Sequence, residues 1–424
     1  MRYFISVTFR RLESVEGPDG CPFRIGDASY GISIIHANFP GEKDGIKILR
    51  GFSVGIGENV LTLRAKKFLM RKIGAYILIA LAAATAGCGR ETFRAPEGTP
   101  LSSGWMADTL TPGFEMRYVR QADDYSGEVR STVIRRTTEG SKRGVLYVHG
   151  FNDYFFQAEM ANRFVDSGYS FYAVDLRKYG RSLMEGQRPF EARDMREYFA
   201  DIDSGFAEMH RAGIEKIALM GHSTGGLTAA YYMDCQPDKG VKCLVLNSPF
   251  LDWNLSPFLE KVAIPAVTAV GRMMPGIPVS QGESHTYAHS LLRGFDGEWE
   301  YDTRLKFTQS PDVTSGWIRA ITLAQRHLHE EGHITVPILL LHSDSTYRDG
   351  EPTDMSRRSD AVLDVTDISR YGRELGGHVT EVTVKGGLHD LMLSRRGVRE
   401  PMMEYIFEWL RPIMTEQEEG EQEE

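Results

Sequence analysis

The sequence predicts an α/β fold, a doubly wound and mostly parallel sheet with a helical cap inserted between two of its strands. Three observations carry this. Short, continuously apolar runs such as "GVLYVHG" and "VPILLLHS" alternate with longer helical stretches; apolar strands without polar alternation are covered on both faces, as in parallel sheets. One such run, "KIALMGHS", ends in Gly-x-Ser-x-Gly, residues 221–225, and passes directly into a helical stretch. A long segment, about 251–333, then separates two strands, far beyond the usual connection of about 4–6 residues.

The elements run in order from residue 113. "FEMRYVRQ" and "EVRSTVIRR" read as an opening antiparallel pair. "GVLYVHG" is a buried strand, followed by a helix through "FQAEMANRFVDSG". "YSFYAVDLR" is the next strand, and "MREYFADIDSGFAEMHRAG" is helical. "KIALMGHS" ends at Ser223, with "TGGLTAAYYMD" helical after it. "VKCLVLNSPF", "VPILLLHS" and "HVTEVTVKG" complete the strands, and the helix "REPMMEYIFEWLRPI" closes the domain at 412. The insertion 251–333 reads as a cap over the strand C-termini, where open α/β sheets bind ligands.

With 424 residues and 42% hydrophobic content the chain can bury a full core. A net charge of −9 argues against nucleic acid as a partner, because no basic stripe exists to neutralise phosphates. The acidic end, 413–424, is read as a disordered tail. Four cysteines are too few for a disulfide scaffold and lack paired metal spacing. Cys235 and Cys243 flank one loop and either pair, if the domain is exported, or stay as buried thiols.

A second signal stands at residues 70–88, "MRKIGAYILIALAAATAGC". A basic start, an apolar run short of the ~20 residues a spanning helix needs, and small residues before Cys88 describe a secretory leader. Such a leader works only at an N-terminus. Residues 1–69 are therefore read as an over-extended gene model, or else as an extension before an internal anchor. Residues 89–112, rich in turn formers, read as a tether.

Function turns on Ser223. A serine between a buried strand and a helix, flanked by Gly221 and Gly225, has the setting of a nucleophile elbow. The helix N-terminus beneath it offers free N–H groups and a positive dipole end to an oxyanion. Donors are expected from the backbone of Thr224 and of Phe151, in the loop after the "GVLYVHG" strand. His389, in "KGGLHDLMLS", comes after the last strand and supplies the base, giving the chain order serine, acid, histidine. His222 and His149 are read as structural. Three acids compete: Asp360 leaves room for one helix and one strand before His389, Asp344 follows its strand most closely, and Asp364 is the third. The preferred acid is Asp360, which would orient His389 and stabilise its imidazolium.

"YVHGFNDY", "VDLRKYGRS", "MGHSTGG", "LNSPFLD", "SDAVLDV" and "GGLHD" together resemble the α/β-hydrolase superfamily, and within it the monoacylglycerol lipase, lysophospholipase and serine aminopeptidase-like branch. The resemblance spans roughly 113–412. It implies ester or amide hydrolysis through an acyl-enzyme, without metal or organic cofactor, and it matches Asp360 in "SDAVLDV" to the branch's acid. The chain departs from that pattern by extra residues between "LLLHS" and Asp360. The end of the leader, Thr85 to Cys88, resembles a bacterial lipobox with Thr in place of the usual Leu, which implies lipidation at Cys88 and a place in the bacterial envelope.

"HEEGH", residues 329–333, formally matches the zinc-protease pattern, but Gly332 ends the helix that pattern needs. The cap residues Phe258, Leu259, Val262, Ile264, Val267, Met273 and Met274 either line an acyl pocket or pack the cap onto the core. Glu298, Glu300 and Asp302 would hold an α-amino group in an aminopeptidase, or form a solvated loop. The expected activity is a carboxylesterase or lysophospholipase type. The alternatives are a serine aminopeptidase, a binding protein on a hydrolase scaffold, and a zinc hydrolase.

Overall fold

The computed structural model describes residues 100–415, apart from 282, 283 and 349. The readings of residues 1–69, of the leader and Cys88, of the first part of the tether, and of the tail from 416 lie outside the described residues.

The strands run β1 Met106–Ala107, β2 Glu115–Arg120, β3 Arg130–Arg136, β4 Arg143–Val148, β5 Ser170–Asp175, β6 Lys216–His222, β7 Val241–Asn247, β8 Pro278–Val279, β9 Val313–Thr314, β10 Ile338–Ser343 and β11 Val379–Val384. Apart from the ribbon β8–β9 they form one sheet in the order β1-β2-β3-β5-β4-β6-β7-β10-β11. β2 and β3 are antiparallel, as their sequences predict, and β3 also meets β5 antiparallel. From β5 to β11 every neighbour is parallel. β5 and β10 are buried at every residue, which is why their sequences are apolar without alternation.

The helices are α1 Ala158–Asp166, α2 Phe199–Arg211, α3 Thr224–Cys235, α4 Ile264–Met273, α5 Thr286–Leu291, α6 Ser315–Glu330, α7 Val365–Gly372 and α8 Arg396–Met414. Successive strand residues point to opposite faces. Leu146, Val148, Tyr172 and Val174 therefore pack with α2, α3 and α6, while Val145, Tyr147, Phe171 and Ala173 pack with α1 and α8. Each fully buried Val, Leu or Phe among them contributes about 1.5–3 kcal/mol.

The chain leaves β4 toward β5 on one side and returns to β6 on the other. The C-terminal ends of β4 and β6 thus flank the point where the strand order reverses, and the loop after β4 and the turn after β6 meet there.

Three predicted boundaries are corrected. Residues 102–112 are part of the domain and do not form a tether. Met106–Ala107 pairs with β2, and the buried Asp108 binds the Arg181 guanidinium at 2.8 and 2.6 Å. The cap is shorter than 251–333. α6 belongs to the core, because Trp317, Ile318, Ile321, Ala324 and Leu328 form one apolar stripe buried in the main cluster. The ribbon β8–β9 closes the neck of the insertion just before α6. Finally, α8 continues to Met414, past the predicted end at 412.

Candidate active site

Ser223 occupies the turn between β6 and α3 with φ +53° and ψ −119°. A left-handed φ at a residue with a side chain costs of order 1–3 kcal/mol, and the surroundings must impose it. They do so by close packing. A Cβ on Gly221 would strike the Gly225 carbonyl, and one on Gly225 would strike the carbonyls of Val148 and His149. Backbone bonds from Ser223 N–H to Asn247 O, and from Leu227 and Phe250 N–H to Ser223 O, hold the turn at 3.0–3.1 Å.

His389 reaches this turn from the loop after β11. Its Nε2 lies 2.9 Å from Ser223 Oγ and its Nδ1 lies 2.9 Å from Asp360 Oδ2. A carboxylate oxygen accepts, so Nδ1 carries the proton and Nε2 is free to accept from the serine hydroxyl. The other oxygen, Asp360 Oδ1, accepts the N–H groups of Val362 and Leu363, both at 2.8 Å. All three side chains are buried.

The extra residues before Asp360 explain themselves in three dimensions. Asp360 N–H bonds Ser345 O at 2.8 Å and Tyr347 N–H bonds Asp360 O at 2.7 Å, a one-residue bridge between Thr346 and Asp360. Residues 346–359 are therefore a loop closed at its base, and Asp360 stands beside the end of β10. The competing acids are engaged elsewhere. Asp344 Oδ1 accepts from Gly386 N–H at 2.9 Å, and Asp364 caps α7 while pairing with Arg348.

The loop after β4 lies against the serine: a Cβ on Gly150 would stand 3.0 Å from Ser223 Cβ. His149 shapes this loop by bonding Gly150 O at 2.8 Å through Nδ1 and accepting Leu176 N–H at 3.1 Å through Nε2. The backbone N–H groups of Phe151 and Thr224 engage no acceptor among the described residues. His222 bonds Asn247 O, and its ring lies 4.8 Å from that of His389. Burial holds its pKa below the ordinary histidine value, so it is neutral around pH 7.

A cavity of about 260 Å³ opens onto Ser223 and His389, lined by Phe151 from the loop and by Leu291, Tyr301, Lys306 and Phe307 from the cap. Two features of it were missed in the sequence. Asn152 grips Phe307 with both ends of its amide, donating to Phe307 O at 2.9 Å and accepting Phe307 N–H at 2.8 Å. Lys306 presents a buried ammonium 3.1 Å from Asp153 Oδ1, and the Asp153 carboxylate accepts no hydrogen bond. Neither is readable locally, since each pair spans more than 150 residues.

The fold decides between the alternatives that the sequence left open, and Ile264 and Val267 pack on the core. The cap residues Phe258, Leu259, Val262, Ile264, Val267, Met273 and Met274 do not line the cavity, and Phe258 and Met273 are 60% and 81% exposed on the cap's outer surface. Glu298, Glu300 and Asp302 face Arg399, Arg293 and Arg304. His329 stacks on Tyr371 and bonds Leu251 O, while His333 lies past the end of α6. Cys235 and Cys243 are free thiols, the first exposed and the second buried.

A strained serine turn at the reversal point of a mostly parallel, helix-covered sheet defines the α/β-hydrolase fold. The chain has that fold, and its residues 140–346 match the family described as serine aminopeptidase, S33. Among solved structures it is similar to the monoacylglycerol lipase of Paleococcus ferrophilus, at 23% identity and TM-score 0.50 over 66% of this chain and 98% of that one. It is also similar to a soluble variant of the monoglyceride lipase of Saccharomyces cerevisiae, solved with a substrate analogue, at 15% identity and TM-score 0.53 over 76% and 100% of the two chains. Epoxide hydrolase 4 of Mus musculus is 31% identical over 111 residues, 26% of this chain and only 30% of that protein.

Proposed function

We propose that the protein is a serine hydrolase that cleaves carboxylic esters of lipid type, of the lysophospholipase or monoacylglycerol lipase kind. The observation that carries the reading is the hydrogen-bonded line Asp360–His389–Ser223 opening onto a cavity. Ser223 Oγ attacks the ester carbonyl carbon while His389 Nε2 takes the hydroxyl proton. The carbonyl oxygen becomes an oxyanion and accepts from the N–H groups of Phe151 and Thr224, each such donor contributing about 10²–10³ in rate. As the C–O bond breaks, His389 returns the proton to the leaving alcohol, and Ser223 is left acylated. Water, deprotonated by His389, then attacks the acyl carbon, releases the acid and restores the serine.

An ester of lipid type is favoured over an aminoacyl substrate by the apolar side chains of Phe151, Leu291, Phe307 and Val362 in the cavity's lining. Among the described residues the charged side chain in its lining is Lys306. The sequence of the leader supports a second part of this proposal: the chain is exported, lipidated at Cys88, and held at the cell envelope beside its lipid substrate.

The test is labelling of the purified protein with a fluorophosphonate, with peptide mapping, beside turnover of p-nitrophenyl esters and aminoacyl anilides. Labelling at Ser223 and ester turnover, both abolished in Ser223→Ala, are expected. Full esterase activity in Ser223→Ala overturns the reading, and preference for anilides moves it to an aminopeptidase. Metabolic labelling with a fatty acid, lost in Cys88→Ala, tests the anchor.

A further inference from the structure

The last turns of α3 and α6 meet at the opposite end of α3 from Ser223, and three side chains converge there. His327 Nε2 lies 2.7 Å from Asp234 Oδ2, and one ligand-type atom each of Asp234, Cys235 and His327 falls within 4.8 Å of the other two. At 1.5 Å per residue along α3 the cluster stands roughly 17 Å from Ser223. An imidazole nitrogen, a carboxylate oxygen and a thiol are together the donor set of a borderline-soft divalent cation, zinc above all.

The groups around the cluster fit that role. The backbone N–H of His333 holds Asp234 Oδ1 at 2.6 Å and leaves Oδ2 turned toward His327. Glu331 Oε2 lies 3.5 Å from His327 Nδ1, where a metal-bound imidazole places its remaining N–H. The Tyr231 ring packs 5.1 Å from the His327 ring and fixes its plane. Cys235 is exposed, so a cation reaches the site from solvent. The run "HLHEEGH" thus contributes His327, and not the two histidines of its formal zinc pattern.

We propose that Asp234, Cys235 and His327 bind one zinc-class divalent cation, with solvent as fourth ligand, as a clasp joining α3 to α6. On binding, the imidazole proton moves to Nδ1 facing Glu331, and the Cys235 thiol proton leaves to solvent. Zinc–ligand bonds of about 2.0–2.3 Å separate tetrahedral ligands by roughly 3.3 Å or more, so the His327–Asp234 contact opens by less than about 1 Å.

The whole protein is titrated with Co²⁺, a spectroscopic stand-in for zinc, and then with Zn²⁺ in competition. One equivalent of Co²⁺ is expected, with a thiolate charge-transfer band and the strong visible bands of four-coordinate cobalt, both displaced by Zn²⁺. Cys235→Ser loses the charge-transfer band, His327→Gln loses tight binding, and both keep ester turnover within twofold. Zinc at a hundredfold excess over Kd raises the melting temperature of the unaltered protein by about 4 °C and that of either variant by none. Substoichiometric binding, absence of the charge-transfer band, or its persistence in Cys235→Ser overturns the proposal. Because the site is remote from Ser223, fluorophosphonate labelling is unaffected by either result.

Discussion

Replacing Asp360 by Asn discriminates among the candidate acids. The two side chains have the same shape, and the Val362 and Leu363 N–H groups at 2.8 Å require an acceptor at the Oδ1 position. The new amide therefore turns its NH₂ toward His389 Nδ1, which stands 2.9 Å from the atom it replaces. A donor there forces the proton onto Nε2, and His389 can no longer accept from Ser223 Oγ. A wrong tautomer of this kind lowers kcat by about 10⁴, or about 5.5 kcal/mol of transition-state stabilisation. Stability changes little, because no cavity is made and the Oδ1 bonds persist. The assay is kcat on a p-nitrophenyl ester, normalised by active-site titration, beside thermal melting. Asp344→Asn and Asp364→Asn are the controls, each expected within tenfold of the unaltered enzyme. Asp360→Asn activity within tenfold of the unaltered enzyme, with a thousandfold loss in either control, refutes the assignment.

Three further outcomes are expected. Asn152→Ala removes the two bonds to Phe307, about 1 kcal/mol each, and lowers kcat/KM by roughly 30-fold, read in steady-state kinetics; an unchanged value separates the cap from the loop. Lys306→Met leaves Asp153 buried without its counter-charge and costs about 3–5 kcal/mol in denaturant unfolding, most of it recovered when Asp153→Leu is added; a loss that the second substitution does not reduce shows that the pair carries none of it. Burial, together with Asp364, Asp252 and Glu260, pushes the Asp367 carboxyl up to about 6. The folded state binds this proton more tightly than the unfolded chain, so stability is lost as pH rises from 3.8 to about 6 and stays lowered above that. Solvent screening reduces the effect to about 1 kcal/mol. Asp367→Asn should raise the melting temperature at pH 7 by about 2 °C and at pH 3.5 by nothing, and an equal gain at both pH values contradicts the origin given.

The centre of the sheet was legible in the sequence because β4, β5, β6 and β10 are largely apolar and buried, and the serine turn because close packing leaves Gly221 and Gly225 no alternative. His389 was legible from its place after the last strand. Asp360 was readable only as a preference, since the closure of residues 346–359 on themselves depends on backbone bonds between Ser345, Asp360 and Tyr347. The start of the domain was misplaced because the buried partner of Asp108 is Arg181, 73 residues on. α6 was assigned to the cap because a helix within a long insertion does not announce which layer its apolar stripe faces. The grip of Asn152 on Phe307 leaves no local pattern at all.

The closed base of residues 346–359 uncouples the length of that segment from the position of Asp360. A chain that departs and returns through one backbone bridge transmits none of its own length to the residues beyond it, so Asp360 keeps its place whether the excursion is short or long. The loop also touches the cap, where Thr286 Oγ1 donates to Gly350 O. Its exposed stretch, residues 350–355, can therefore be exchanged for segments of other length and chemistry, remodelling the cap's flank while His389 keeps its carboxylate, whereas Tyr347, Ser356 and Ser359 are buried and stay. In this scaffold the insertion is a grafting position set directly beside the reactive centre.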